Sequence, residues 1–188
     1  MRAKVLTVVG LALAVAPAAA QETLFGSPDI TVAYYDVSGG SDRAIIRDIE
    51  SKKIGVIGGG KAAWGLTVAQ FQYGWPQRSD GACDLSQAKV SYTINVQLPK
   101  MASGVRLQKE TMDWWKVASH NLRIHEIDHV RLALGYAREL EKAIKAANCS
   151  TAEDEAKRVI EAYHAANAKY DELTKHGTTV PRRSKRKD

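Results

Sequence analysis

Leu122-Arg123-Ile124-His125-Glu126-Ile127-Asp128-His129-Val130-Arg131-Leu132 carries the decisive pattern of this chain. His125 and His129 stand four residues apart, with Glu126 next to the first. On a helix, positions four apart share one face, one turn above the other. Two imidazoles so placed can hold one Zn²⁺, and the carboxylate between them stands where it can take a proton from a water. Trp115, Ala118, Leu122, His125, His129, Leu132, Tyr136 and Ala143 prolong the pattern at helical spacing, as a stripe expected to face the interior. Both histidines therefore fall on a face that is normally apolar. A lone histidine there is ordinarily a core residue bonded to a carbonyl. A pair one turn apart, with a glutamate between, is poorly explained that way.

The surrounding sequence predicts a long helix. From about Leu107 to about Ala147 there are good helix formers and no proline, with Gly135 the one weak point. Asn148 and Cys149 interrupt it, and Ser150-Thr151-Ala152-Glu153 has the form of a capping box that starts a second helix. That helix is expected to run to about Lys175, with Gly177 as its stop. The two should form an antiparallel hairpin. Ile127 lies about 20 residues before the bend, some 30 Å at ~1.5 Å per residue. An equal distance back from Thr151 reaches Tyr170 and Asp171. The segment Tyr170 to Gly177 thus returns to the level of the histidine pair.

A catalytic zinc needs a third protein ligand and an open fourth place. His176, an imidazole at a helix end, ranks first for that role, and Asp171 second. His164, Glu161 and His120 follow. The bland reading of His176 is a cap on the last helical carbonyls. Tyr170 and Tyr163 are candidates to steady an oxyanion, although each residue is more often a core tyrosine.

Upstream, Ile30 to Val37 is rich in strand formers and leads into Gly39-Gly40. Ser41 to Lys53 has Ile45, Ile46 and Ile49 at helical spacing, with Ser41 a good N-cap. Trp64 to Trp75 reads as a strand. The clearest strand alternates Ala88, Val90, Tyr92, Ile94, Val96 and Leu98 with polar residues, and Pro99 is expected to end it. One buried and one wet face imply an antiparallel sheet with helices on one side. The fold class is therefore α+β, a small antiparallel sheet packed on the histidine helix and a C-terminal antiparallel helix. Gly55 to Gly60 followed by Lys61 imitates a phosphate-binding loop, but Ala62 cannot hold Mg²⁺, and a hairpin loop is expected there instead.

The 188 residues point to one domain, expected over 21–178. Arg2 and Lys4, an apolar run from Val5 to Ala16, and Ala18-Ala19-Ala20 compose a secretory signal peptide over residues 1–20. The run is too short to span a bilayer, so a periplasmic or secreted protein with no transmembrane segment is expected. In that setting Cys83 and Cys149 should form a disulfide. The net charge of +6 comes from the two ends, and residues 21–181 are neutral. No specific nucleic-acid partner is therefore expected. The basic tail, 179–188, is expected to be disordered and able at most to touch anionic surfaces.

Tyr34-Tyr35-Asp36-Val37-Ser38-Gly39, Trp64-Gly65-Leu66-Thr67, Ala88-Lys89-Val90-Ser91-Tyr92, the His125–His129 motif and Tyr170-Asp171, Thr174 and His176-Gly177 together resemble a bacterial domain-of-unknown-function family of predicted secreted zinc-dependent proteases. The resemblance spans about residues 28–178. It implies a zincin-like fold outside the cytoplasm and His176 as a recurring feature. The resulting expectation is a zinc metallopeptidase that binds one Zn²⁺ at His125, His129 and His176. Glu126 acts as the base, and a peptide or protein is the substrate. The rival expectation is an exported zinc-binding structural or scaffold protein without turnover.

Overall fold

The computed structural model describes residues 22–23, 26–55 and 62–177. The expected signal peptide, the basic tail and most of the glycine-rich loop lie outside these residues. The elements run β1 (Glu22–Thr23), β2 (Ile30–Val37), α1 (Asp42–Lys52), β3 (Leu66–Gly74), β4 (Lys89–Met101), α2 (Lys109–Ala146) and α3 (Ala152–Thr174).

The three long strands and the two-residue β1 form one sheet, ordered β1-β2-β4-β3. β3 pairs antiparallel with β4, from Leu66 opposite Gln97 to Gly74 opposite Lys89. β2 pairs with β4 in parallel, from Ile30 opposite Ile94 to Val37 opposite Met101. The sheet is thus mixed, not antiparallel as its alternation implied. Alternation reports which face is buried and is silent on strand direction. In β4, Ile94, Val96 and Leu98 are buried and Lys89, Ser91, Thr93 and Asn95 exposed, as the period of two requires. On the opposite face Thr31 donates to Asn95 across the parallel register, at 2.8 Å.

Pro99 does not end β4, which runs on to Met101. Pairing with β3 stops at Gln97, so beyond it one flank of β4 carries no ladder and a missing N–H costs little.

α1 starts where Ser41 Oγ accepts from the Ala44 N–H, and buries Ile45 and Ile49 one turn apart. The Asp48 carboxylate accepts from the Ser38 N–H and ties α1 to the end of β2. Gly39 makes that corner possible. Its φ is +144°, and a Cβ there would lie 2.7 Å from the Ile45 nitrogen.

α2 and α3 pack along each other and against the sheet. Ile30, Val32, Ile94, Val96 and Leu98 meet Leu122, Val130 and Ala133 of α2 and Tyr163 of α3. The ring of Phe71 in β3 meets Tyr163 edge-on at 5.1 Å. The buried face of α2 departs from the expected stripe after His129. Ala133, Ala137, Leu140 and Ile144 are buried, whereas Leu132, Tyr136 and Ala143 are only half-buried. The helix keeps a true 3.6-residue period, so a stripe built from steps of seven drifts off it.

The start of α3 differs from a capping box. The Asn148 side chain accepts from the Ser150 and Thr151 N–H groups, and Glu153 accepts from the Tyr73 hydroxyl instead of reaching back. That bond, together with burial as the larger cause, pushes the Tyr73 phenol up to about 12.

Cys83 and Cys149 form the expected disulfide, with Cα atoms 5.8 Å apart, joining the loop before β4 to the α2–α3 bend. The loop it closes has a sequence separation of 66. In the chain-entropy model such a link is worth about 4 kcal/mol. Reduction, or Cys83→Ser with Cys149→Ser, should therefore lower the unfolding free energy by roughly 2–4 kcal/mol in a denaturant titration. An unchanged midpoint would show that the bend is held by packing alone.

Candidate metal site

His125 and His129 lie on α2, almost fully buried, with exposures of 2% and 7%. Their Nε2 atoms are 3.1 Å apart. Asp171 of α3 brings Oδ1 to 3.1 Å from His125 Nε2 and 2.9 Å from His129 Nε2. Three donor atoms on a tetrahedral ion at ~2.0–2.1 Å would stand about 3.3–3.4 Å from one another. The observed triangle is close to that spacing, so these residues fit a metal ion.

The hydrogen bonds behind the rings fix which nitrogens face the centre. Thr174, fully buried, donates its hydroxyl proton to the Tyr170 carbonyl at 2.7 Å. Its oxygen is then an acceptor for His125 Nδ1–H at 3.1 Å. Asn167 donates its amide to the Tyr163 carbonyl at 2.8 Å, which turns Oδ1 toward His129 Nδ1 at 2.6 Å. Both imidazoles are thereby held with the proton on Nδ1 and the Nε2 lone pair aimed at Asp171. This is the arrangement a metal-binding histidine requires, with its far nitrogen anchored by an acceptor.

The electrostatics agree. Burial raises the Asp171 carboxyl, but the contacts with His125 and His129 outweigh it and hold the group below the carboxylate range. Burial lowers His129, yet Asp171 and Glu126 bring its net shift upward. The point between the three donors favours positive charge.

Glu126 is 3% exposed, and burial is the main cause of its raised carboxyl pKa. Oε2 accepts from the Thr67 hydroxyl of β3 at 2.6 Å. Gly65 lies against the other oxygen, and a Cβ there would be 2.5 Å from Oε1. The Trp64-Gly65-Leu66-Thr67 run is thus the seat of this carboxylate. Glycine supplies room and threonine a donor. Tyr35 donates to the Trp64 carbonyl at 2.7 Å and steadies the seat.

His176, the first-ranked third ligand, stands beside the triangle. Its Nδ1 lies 3.8 Å from Asp171 Oδ1. Helix α3 ends at Thr174, and Lys175, His176 and Gly177 all have positive φ. The His176 N–H bonds back to the Asp171 carbonyl at 2.9 Å, closing the helix end. Gly177 then rests on the His125 ring, where a Cβ would be 3.1 Å away. His120, His164 and Glu161 are exposed and outside the group. Tyr163 is a core ring, and Tyr170 stacks on His125 at 5.1 Å while its hydroxyl donates to Asp128 at 3.0 Å.

Asn167 and Thr174 were not among the sequence candidates. The signal was available. Tyr163, Asn167, the adjacent pair Tyr170 and Asp171, and Thr174 follow one another at three- or four-residue steps on α3, a polar stripe facing another helix.

Thr174→Val and Asn167→Leu keep shape and remove one acceptor each. Either should weaken zinc binding about 10–100-fold in a chelator-competition titration while the fold is retained. Wild-type affinity in both would mean that the rings are set by packing alone.

No curated protein and no solved structure matches the chain. A family model does match, over residues 32–177, and that span holds every residue of the site. The chain belongs to the family described as "Bacterial protein of unknown function (DUF922)".

Proposed function

We propose that the protein is an exported zinc-dependent metallopeptidase with a zincin-like site. His125, His129 and Asp171 hold the metal, and Glu126 is the base. The observation that carries this reading is the triangle of two buried Nε2 atoms and one half-buried carboxylate oxygen, with a buried carboxylate, Glu126, next to His125. Zinc in such a site supplies a Lewis acid that brings the pKa of a water toward ~7 and polarises a carbonyl. Glu126, held by Thr67, takes up a proton and delivers it to the leaving amine. Asp171 and His176 are each about one-third exposed, which gives a substrate access on that side.

β3 supports a peptide substrate. It is an edge of the sheet, opposite the two-residue β1, and the strand that binds Glu126. An extended chain can add to such an edge through main-chain hydrogen bonds. The disulfide supports an oxidising compartment, and no helix among the described residues is long and apolar enough to cross a membrane.

Two imidazoles and a carboxylate also suit iron(II). Glu126 favours zinc hydrolysis, since neither an iron centre nor a structural zinc gives this buried carboxylate a task.

Glu126→Gln should keep one zinc per chain and lose about 10²–10⁴-fold in peptide cleavage. Full activity in that variant overturns the mechanism. Stoichiometric zinc without chelator-sensitive cleavage of varied peptides would leave the exported zinc-binding scaffold. Asp171→Ala should cost more zinc affinity than His176→Ala. The reverse order would give the third place to His176.

A further inference from the structure

On the flank of α2 away from the histidine pair there is a cleft of about 350 Å³, between the helix and the ends of β2 and β4. Its origin lies in the fold. α3 covers the β3 side of the sheet, where Tyr163 meets Phe71 and Glu153 accepts from Tyr73. On the β2 side the short helix α1 packs only at one end of the cleft, where Ile45 and Ile49 meet Met101 and Trp115. The floor is apolar, with Leu98, Pro99, Met101 and Trp115. The walls are cationic, with Lys100, Lys116 and Arg123 beside the imidazole of His120. Among the described residues no carboxylate lines the cleft. Asp36 pairs with Lys100 at the rim at 3.6 Å, an exposed contact of little energy. Arg123 donates to the Tyr34 hydroxyl at 2.7 Å, which orients its guanidinium without neutralising it. Among the described residues neither Arg123 nor Lys116 has a carboxylate partner.

We propose that this cleft is a second binding site, separate from the metal group, for a small organic anion: one carboxylate or phosphate on an aromatic or aliphatic body. Arg123 and Lys116 take the anionic group by charge-assisted hydrogen bonds, and Trp115 with Leu98 and Met101 takes the body. The cleft volume is at the low end of small-ligand sites, ~300–1,000 Å³. The proposal stands on charge complementarity and needs neither a metal nor turnover at the histidine pair.

The test is a tryptophan-fluorescence titration of the full-length mature protein with phenylacetate, phenyl phosphate and the neutral phenylacetamide. Both anions should bind at least about tenfold more tightly than the amide, and the tighter of them identifies the natural head group. Lys116 is exposed and makes no ion pair or side-chain hydrogen bond among the described residues, so Lys116→Gln should fold normally and weaken anion binding about tenfold; Arg123→Gln should do at least as much. Lys145→Gln, at the far end of α2, should leave binding unchanged. Equal affinity for the amide, no saturable binding of either anion at millimolar concentration, or an equal loss in Lys145→Gln would overturn the proposal.

Discussion

The site depends on a conflict between lone pairs. Thr174 and Asn167 commit the Nδ1 protons of His125 and His129 outward, so two Nε2 lone pairs and a carboxylate oxygen meet with separations of 2.9–3.1 Å in a buried place. Three electron-rich atoms at that range, two of them on buried rings, repel unless a positive charge lies among them. A divalent cation resolves the conflict more completely than a shared proton. The α2–α3 hairpin exists in a form that enforces the conflict, since each of the five residues comes from one of its two helices. Its disulfide holds the bend at the other end.

The sheet adds the second carboxylate. Burying Glu126 is costly, and the cost is met by one short hydrogen bond from Thr67 together with the cavity that Gly65 leaves. A purely structural metal site has no use for this arrangement. A hydrolytic one does, because the base must be close, desolvated and held still. The strand that seats Glu126 is also an edge of the sheet, so the proposed base and the proposed peptide surface share one element.

Much of this was legible in the sequence because it follows from regular periods. Equal helical rise on both sides of the bend put Tyr170 and Asp171 level with Ile127. The observed contacts, Asn167 with His129, Tyr170 with Asp128 and Thr174 with His125, keep that register within about one turn. Ligand chemistry and helix geometry point to different residues for the third place. An imidazole at 176 is a better zinc donor than a carboxylate at 171. The left-handed turn at Lys175 and His176 sets residue 176 beside the group, its Nδ1 3.8 Å from Asp171 Oδ1, while the regular helix brings Asp171 against both Nε2 atoms. Strand direction was not legible at all. The alternation of β4 reads identically beside a parallel or an antiparallel neighbour. The parallel partner β2 is far away in sequence, with α1 and β3 between.

The two flanks of α2 have opposite preferences. At about 100° per residue, Arg123 lies about 160° around the axis from His125, and Lys116 about 180°. One side gathers two lone pairs and a carboxylate, and so calls for a cation. The other gathers three cations over an apolar floor, and so calls for an anion. Leu122, Glu126, Val130 and Ala133 lie between them as the buried face. The helix could not serve both sides if α3 were centred over the sheet, because α3 would then cover the β2 flank as well. Its displacement toward β3, read from the Phe71–Tyr163 and Tyr73–Glu153 contacts, both completes the metal group and leaves the cleft open.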